Sequence, residues 1–285
     1  MEATLKLKLL AYTPNPDAVV AKGGKLCYYP GGIEELEEDL TEEKIGKFVS
    51  MLAEMEHESP LEHAVFTFGI EGVSRSLTHQ LVRHRLASYS QKSQRYVREG
   101  SFEYVVPNDI KNNQEAKKTF IKAMEDAQSA YDKITEELLA EKIKGFYLKK
   151  KETAKEEEKD LLKEIEELDN KGIIHHCRSH FKRECSALEK LAIENARAVL
   201  PNACETKIIV TMNARVLLHF FKKRCCNRAQ EEIRVLATEM LRLAKSVAPN
   251  IFRHAGPACV YEGCPEGNMT CGEVVKVREK FKSLI

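Results

Sequence analysis

The chain has 285 residues, 43% of them hydrophobic, which suits one large domain or two small ones with a sizeable core. Its 45 basic residues nearly balance its 44 acidic ones, so the strong positive field typical of nucleic-acid-binding proteins is excluded. Residues 1–10 alternate Lys with Leu, and no apolar run approaches the ~18 residues of a membrane span. We therefore expect a cytoplasmic protein that binds neither nucleic acid nor a membrane, and whose cysteines are reduced thiols.

The first third of the chain predicts two strands with a helix between them. Residues 5–9 place Leu at every second position, which indicates a strand with one buried face. Thr41 is a good N-cap for a helix whose apolar residues repeat at helical spacing through Leu52. Residues 64–70 then read as a strand with Phe66, Phe68 and Ile70 on one side.

The next segment predicts a helix that leads into a basic turn. Val73, Leu77 and Leu81 form its apolar face, and Gln80, Arg83 and His84 are spaced to share another face. We expect the chain then to turn through residues 88–94 and to form a strand at 102–106.

The middle of the chain predicts a helical bundle and a charged arm. Between residues 114 and 138 the apolar positions alternate three- and four-residue steps, as in a helix packed on another helix. Residues 149–167 are mostly charged, which is typical of a solvated helical arm, with partner binding as the alternative.

The last third predicts a strand followed by two helices. Residues 208–212 read as a strand, and Asn213 can cap a helix at 214–222. A further amphipathic helix is expected at 230–247.

The segment 83–96 carries most of the functional information. It contains three Arg, one His and three Ser and no acidic residue, a composition suited to phosphate because guanidinium forks and hydroxyls both donate to anionic oxygens. The pattern Arg83-His84-Arg85, seven residues, Ser93 and then Arg95 resembles the signature of the flavin-dependent (alternative) thymidylate synthases. A solvated basic turn is the alternative for the Arg-His-Arg triplet taken alone.

Three further segments match the family in its order. Residues 57–63, His-Glu-Ser-Pro-Leu-Glu-His, resemble a segment of the family in which the residue at the position of Ser59 contacts the flavin. Residues 196–201 resemble the family's Ala-Arg-x-x-Leu-Pro, in which Arg197 reaches the nucleotide from another subunit. Asn213-Ala214-Arg215 stands at a strand-to-helix junction, where free amides favour an anion or a polar ring edge.

The resemblance implies a fold and an assembly. We expect an α/β protein of the α+β type, with a mostly antiparallel sheet, flanking helices and a helical bundle, assembled as a homotetramer with shared active sites. The whole chain, 1–285, is expected to be one domain, with a charged helical insertion at about 145–191 and a cysteine-containing tail at about 250–285. Because the chain lacks Gly-x-Gly-x-x-Gly, a Rossmann route to FAD is excluded.

The implied reaction is the reductive methylation of dUMP to dTMP, with FAD as cofactor and NADPH and 5,10-methylenetetrahydrofolate as co-substrates. Arg224 is implied as the catalytic residue, beside the uracil ring, where a cation lowers the pKa of that ring. The implied flavin-binding residues are Ser59, Arg83, His84, Arg85, Leu86, Gln91, Asn213, Ala214, Arg215 and His219. The implied substrate-binding residues are Gln80, Arg83, Gln91, Lys92, Ser93, Gln94, Arg95, Arg197 and Arg224.

The sequence departs from the family at two of these positions. Gln91 stands where Glu is frequent, which retains hydrogen bonding but excludes a role as a base, and His219 stands where Asn is usual. Neither Ser88 nor Ser93 has an evident base, so we assign Ser93 to phosphate binding rather than to nucleophilic attack.

Metal binding is weighed at three cysteine- or histidine-containing segments. His57 to His63 lacks suitable spacing, and the cluster at 175–185 lacks a second ligand pair of the zinc-finger kind. Cys259, Cys264 and Cys271 number only three, so packed thiols are favoured over a metal or redox site. We predict no metal; the competing hypotheses are a nucleic-acid-binding module and a structural-zinc regulator.

Overall fold

The computed structural model describes residues 1–55, 57–96, 99–153 and 168–284. The chain divides into two compact units. We call the first, formed by Met1–Ala3 and Lys92–Glu205, the helical unit, and the second, formed by Thr4–Gln91 and Thr206–Ile285, the sheet unit. The single domain expected from the sequence stays a prediction.

The secondary structure is mainly helical. In chain order the helices are α1 Pro16–Leu26, α2 Ile33–Asp39, α3 Glu42–Glu54, α4 Arg75–Leu81, α5 Asn108–Lys111, α6 Gln114–Thr153, α7 Asn170–His180, α8 Lys182–Ala196, α9 Ala214–Arg224, α10 Glu231–Val247 and α11 Val274–Lys282. The strands are β1 Lys6–Tyr12, β2 Val65–Ser74, β3 Ser88–Gln91 and β4 Glu205–Asn213. No helix in the described part of the chain is long and apolar enough to span a bilayer.

The four strands form one sheet in the order β1-β2-β4-β3. The pairs β1–β2 and β3–β4 are antiparallel. Between β2 and β4, the Thr67 and Thr211 hydroxyls lie 2.9 Å apart, and Lys207 pairs with Glu71 at 3.4 Å. Because residue numbers rise along one strand as they fall along the other, this pair is also antiparallel. The α+β class and the antiparallel sheet are thus confirmed.

The core of the sheet unit lies on one face of this sheet. Phe66, Phe68 and Ile70 of β2 are buried, as the alternation predicted. They belong to one apolar cluster with the buried faces of α9 and α10, represented by Phe220 and Leu236. Burial of side chains of this size stabilises by about 1.5–3 kcal/mol each.

Side-chain caps fix where several helices begin. The Thr41 hydroxyl accepts from Lys44 N at 3.4 Å, and Asn213 Oδ1 accepts from Val216 N at 2.9 Å, so both predicted caps are confirmed. The Gln230 side chain caps α10 in the same way. Each cap satisfies an amide that the helix leaves without a partner.

The helical unit has its own apolar cluster. Leu139 and Ile143 of α6 pack with Ile173 of α7 and Ala192 of α8. The described part of the predicted insertion thus includes the end of α6 and the helices α7 and α8, which pack on α6. Residues 154–167 of the predicted charged arm lie outside the described residues.

Two predictions around the basic turn are wrong. Val73 belongs to β2, and α4 ends at Leu81, so Arg83 and His84 lie beyond the helix and share no helical face with Gln80. Ser88–Gln91 is a strand, because these residues pair with β4 instead of turning.

Three other boundaries differ from expectation. At residues 102–106 only Tyr104 forms isolated bridges, to Glu2 and Cys204, since no neighbouring strand continues the ladder there. Helix α6 continues to Thr153 because α7 and α8 pack along it. Arg224 is the last residue of α9 and does not lie beyond it.

Candidate active site

The loop between α4 and β3 is held by one tyrosine. The Tyr89 hydroxyl lies 2.9 Å from the carbonyl oxygen of Leu81 and 2.7 Å from that of His84, so its single hydrogen is shared between them. Burial raises the pKa of Tyr89 to about 12, and the hydroxyl therefore stays protonated as a donor. Leu86 has a left-handed backbone, φ 66°, and is exposed. This geometry presents Arg83 and Arg85 to solvent.

Arg224 of α9 reaches this loop. Its Nε donates to His84 Nε2 at 3.0 Å, and one terminal nitrogen donates to Gln80 Oε1 at 3.4 Å. Burial, then the charge of Arg224 and then that of His219, lower the pKa of His84 to about 4. His84 is therefore neutral near pH 7, with Nε2 as acceptor. Arg224 thus keeps its positive charge beside two neutral partners.

The His84 ring is further fixed by aromatic neighbours. It meets Phe220 edge to face with centroids 4.9 Å apart and lies 6.3 Å from the ring of His219. His219 itself is exposed and lines a cavity of about 180 Å³ whose other walls include the tail residues 251–262. No pattern in the sequence indicated that the tail would form this wall.

Ser59 and Asn213-Ala214-Arg215 are brought together by an ion-pair clamp. Arg215 Nε bonds Glu58 at 2.8 Å, and a terminal nitrogen bonds Glu62 at 2.5 Å. Ser59 begins the 3-10 helix Ser59–His63 that carries Glu62. Ala214 N donates to Ala64 O at 2.8 Å, which fixes the start of α9 against the same segment. Glu58 and Glu62, which the sequence suggested only as possible metal ligands, therefore hold Arg215 beside the segment that begins with Ser59.

Gln91 ends β3 with its side chain turned to the protein. Its Nε2 donates to Thr78 Oγ1 at 3.0 Å and to Thr206 Oγ1 at 3.3 Å. These two contacts occupy both N–H groups of the Gln91 side-chain amide and thereby fix the direction of its acceptor oxygen, Oε1. The sequence did not point to Thr78 or Thr206, because neither is near Gln91 along the chain.

In the helical unit, one glutamate organises two predicted substrate-binding arginines. Arg95 Nε pairs with Glu194 Oε1 at 2.7 Å, and Arg197 Nε donates to the Glu194 carbonyl at 3.1 Å. Arg95 also lines a cavity of about 780 Å³ along α8. Glu194, which sequence reasoning missed, lies three residues before Arg197, so helical spacing was the available signal.

The other residues of the basic segment in this unit have local partners. Lys92 pairs with the buried Glu99 at 3.0 Å, and Ser93 Oγ accepts from Arg95 N at 3.1 Å. The Gln94 amide donates to Cys204 Sγ at 3.5 Å. The predicted site residues therefore form two groups, one in each unit.

Comparison with known proteins identifies the family. The family model described as "Thymidylate synthase complementing protein" matches residues 8–250. The flavin-dependent thymidylate synthase of Clostridium tetani is 50% identical over 277 residues, covering 97% of each chain. That of Geobacter sulfurreducens is 43% identical, covering 98% of this chain and 99% of its own.

A solved structure supports the fold. The UMP/dUMP methylase PolB from Streptomyces cacaoi, bound with 5-Br dUMP, aligns with a TM-score of 0.62 at 18% identity and covers 89% of this chain and 96% of its own. At that identity the likeness bears on the fold alone. The family match and the near-complete coverage of the relatives show that the chain belongs to the thymidylate synthase complementing protein family, the flavin-dependent thymidylate synthases.

Proposed function

We propose that this enzyme converts dUMP to dTMP, using FAD as its flavin, 5,10-methylenetetrahydrofolate as one-carbon donor and NADPH as reductant. The observation that carries the proposal is the Arg224 guanidinium, held by neutral His84 and Gln80 beside the Arg83–Leu86 loop. Among the described residues no carboxylate pairs with Arg224, and a cation in this state can stabilise negative charge developing on a pyrimidine ring.

His84 and Gln80 have a positioning role in this proposal. Arg224 donates through Nε and one terminal nitrogen to these two acceptors. These bonds fix the plane of the guanidinium while the remaining N–H groups stay available to a pyrimidine carbonyl or ring nitrogen. A lysine at this position would keep the charge but lose the planar fork.

The phosphate of dUMP would be bound by the group in the helical unit. Arg95 and Arg197 both use Nε to contact Glu194. Each guanidinium has two further nitrogens that can donate to phosphate oxygens, with the Ser93 hydroxyl as an additional donor. Glu194 would then set the orientation of both arginines.

The sheet unit has the chemistry that a flavin requires. Exposed Val82 and Leu86 offer apolar contact, and exposed Arg83 and Arg85 offer charge for phosphates. Asn213 at the start of α9 adds polar groups and the positive end of a helix dipole. When bound, the reduced flavin would supply the hydride; the chain's own residues orient the reactants and polarise the pyrimidine.

We also propose a homotetramer in which Arg197 serves the active site of another subunit, as the family resemblance implies. Analytical ultracentrifugation measures the assembly. Mixing Arg197→Ala with Arg224→Ala under subunit exchange tests the sharing, provided that dUMP is kept too low to saturate Arg197→Ala. Activity should rise above the sum of the separate proteins only if a wild-type Arg197 and a wild-type Arg224 can meet from different chains.

The test of the reaction separates its two halves. Purified protein should contain FAD, and NADPH should bleach it in the absence of air. Arg224→Ala should lose dTMP formation while retaining flavin reduction, and Arg224→Lys should fall between Arg224→Ala and wild type. The exposed Lys223→Ala, one residue earlier, is the matched control. Protein without flavin, or normal dTMP formation by Arg224→Ala, would contradict the proposal.

A further inference from the structure

Four cysteines of the sheet unit gather at one place. Cys226 follows the end of α9, and Cys259, Cys264 and Cys271 lie in the tail before α11. Cys226, Cys259 and Cys264 line a single cavity of about 290 Å³. Cys271 accepts a hydrogen bond, at 3.9 Å, from the side-chain amide of Asn227, the neighbour of Cys226. All four are free thiols.

The four thiols are close to one another. Cys259 is buried, and Cys226, Cys264 and Cys271 are all near enough for their charges to act on it. Thiolates this close repel one another, and a cation that they share removes the repulsion. Cys225, by contrast, is buried in the core of the unit.

Four cationic side chains and one carboxylate, Glu266, line the cavity, so positive charge predominates in its wall. Lys222, Lys223, Arg224 and Arg228 contribute to its lining. Four thiolates around a zinc ion or an iron–sulfur cluster have a net negative charge, which such a wall offsets. Lys222 also pairs with Glu262 at 2.6 Å, and Arg228 with Glu266 at 3.8 Å, so the same cations attach the tail to the end of α9.

We propose that Cys226, Cys259, Cys264 and Cys271 form a four-thiolate site for a thiophilic metal centre at the end of α9. Each thiol releases its proton to solvent as its sulfur binds metal. A single tetrahedral zinc with Zn–S bonds of about 2.3 Å needs sulfurs about 3.8 Å apart. In the described part of the chain no three metal-binding side chains are arranged to hold one ion. An iron–sulfur cluster spaces its cysteine ligands more widely than a single ion does, so we expect a cluster rather than one zinc ion.

The test uses the full chain, purified without oxygen and then reconstituted either with equal amounts of ferrous and ferric iron plus sulfide, which supply the electrons of a 4Fe–4S cluster of charge 2+ in balance, or with Zn²⁺. Iron and sulfide at about four each per chain would identify a cubane cluster, and zinc at about one per chain a zinc site. Either result supports the four-thiolate site if Cys264→Ser/Cys271→Ser lowers bound metal at least tenfold. The control is Cys27→Ser, which removes an exposed cysteine of the same unit and should load like wild type.

Wild-type protein that stays metal-free in both reconstitutions overturns the proposal, as does equal loading of the double variant. If circular dichroism shows that the double variant does not fold, alkylation of the wild-type cysteines with and without metal tests the site instead. Iodoacetamide should label Cys27 with or without metal, whereas Cys226, Cys264 and Cys271 should be protected only in the loaded protein. Equal labelling of these three in both states rejects the site.

Discussion

His84 should make the sheet unit sensitive to acid in a defined pH range. Its pKa in the folded protein is lowered to about 4 from the usual 6.5, first by burial and then by Arg224. The folded state therefore favours the neutral ring. The free energy of unfolding that His84 contributes through this preference is complete above pH 6.5 and is lost as the pH falls from there towards 4.

The size of this contribution follows from the shift. The pKa of His84 differs by about 2.5 between the unfolded and folded states. At about 1.36 kcal/mol per pH unit, this difference limits the contribution to the free energy of unfolding to about 3.4 kcal/mol. His84 is partly exposed, and screening by solvent reduces this to about 2 kcal/mol. Protonation also removes the acceptor that Arg224 Nε uses, so the loss of stability should coincide with release of the guanidinium.

The assay compares wild type with His84→Gln, which retains an acceptor for Arg224 but does not titrate. Urea unfolding at pH 7 and pH 4.5, an interval that covers most but not all of the titration, should show a loss about 1.5 kcal/mol larger for wild type than for the variant. His79→Gln, which changes an exposed histidine of α4, should behave like wild type. An NMR titration of the His84 ring should give a midpoint near 4. A midpoint near 6.5, or equal acid sensitivity of His84→Gln and wild type, would refute the reasoning.

Three further outcomes are expected. Tyr89→Phe removes the donor to the Leu81 and His84 carbonyls, so stability should fall by about 1–2 kcal/mol and FAD affinity should fall with it; calorimetry that finds both unchanged would contradict a role for Tyr89 in holding the loop. Asn213→Ala should cost about 1 kcal/mol of stability in urea unfolding, because Val216 N loses its cap, and Asn213→Asp should retain most of it. Arg197→Ala should weaken dUMP binding by about 1.5–3 kcal/mol in calorimetry but leave binding of phosphate-free deoxyuridine unchanged, and equal losses for both ligands would place Arg197 away from the phosphate.

The sequence by itself determined the features that depend on near neighbours. Alternation in residues 64–70 specified the buried strand, because side chains on a strand alternate between faces. Thr41 and Asn213 marked helix starts, because a cap acts on amides two or three residues away. The motif at 83–95 indicated the family that the comparisons then showed, since it joins several anion-binding side chains in a short segment.

Tertiary structure decided which of these residues meet. Arg224 reaches His84 across 140 positions of sequence, and Arg215 reaches Glu58 across 157. Ser88–Gln91 is a strand only because β4 supplies its partner, and the four cysteines converge only when the tail folds back on the end of α9. Contacts of this kind depend on packing between distant segments, whereas helical and strand periodicity report only on the segment in which they occur.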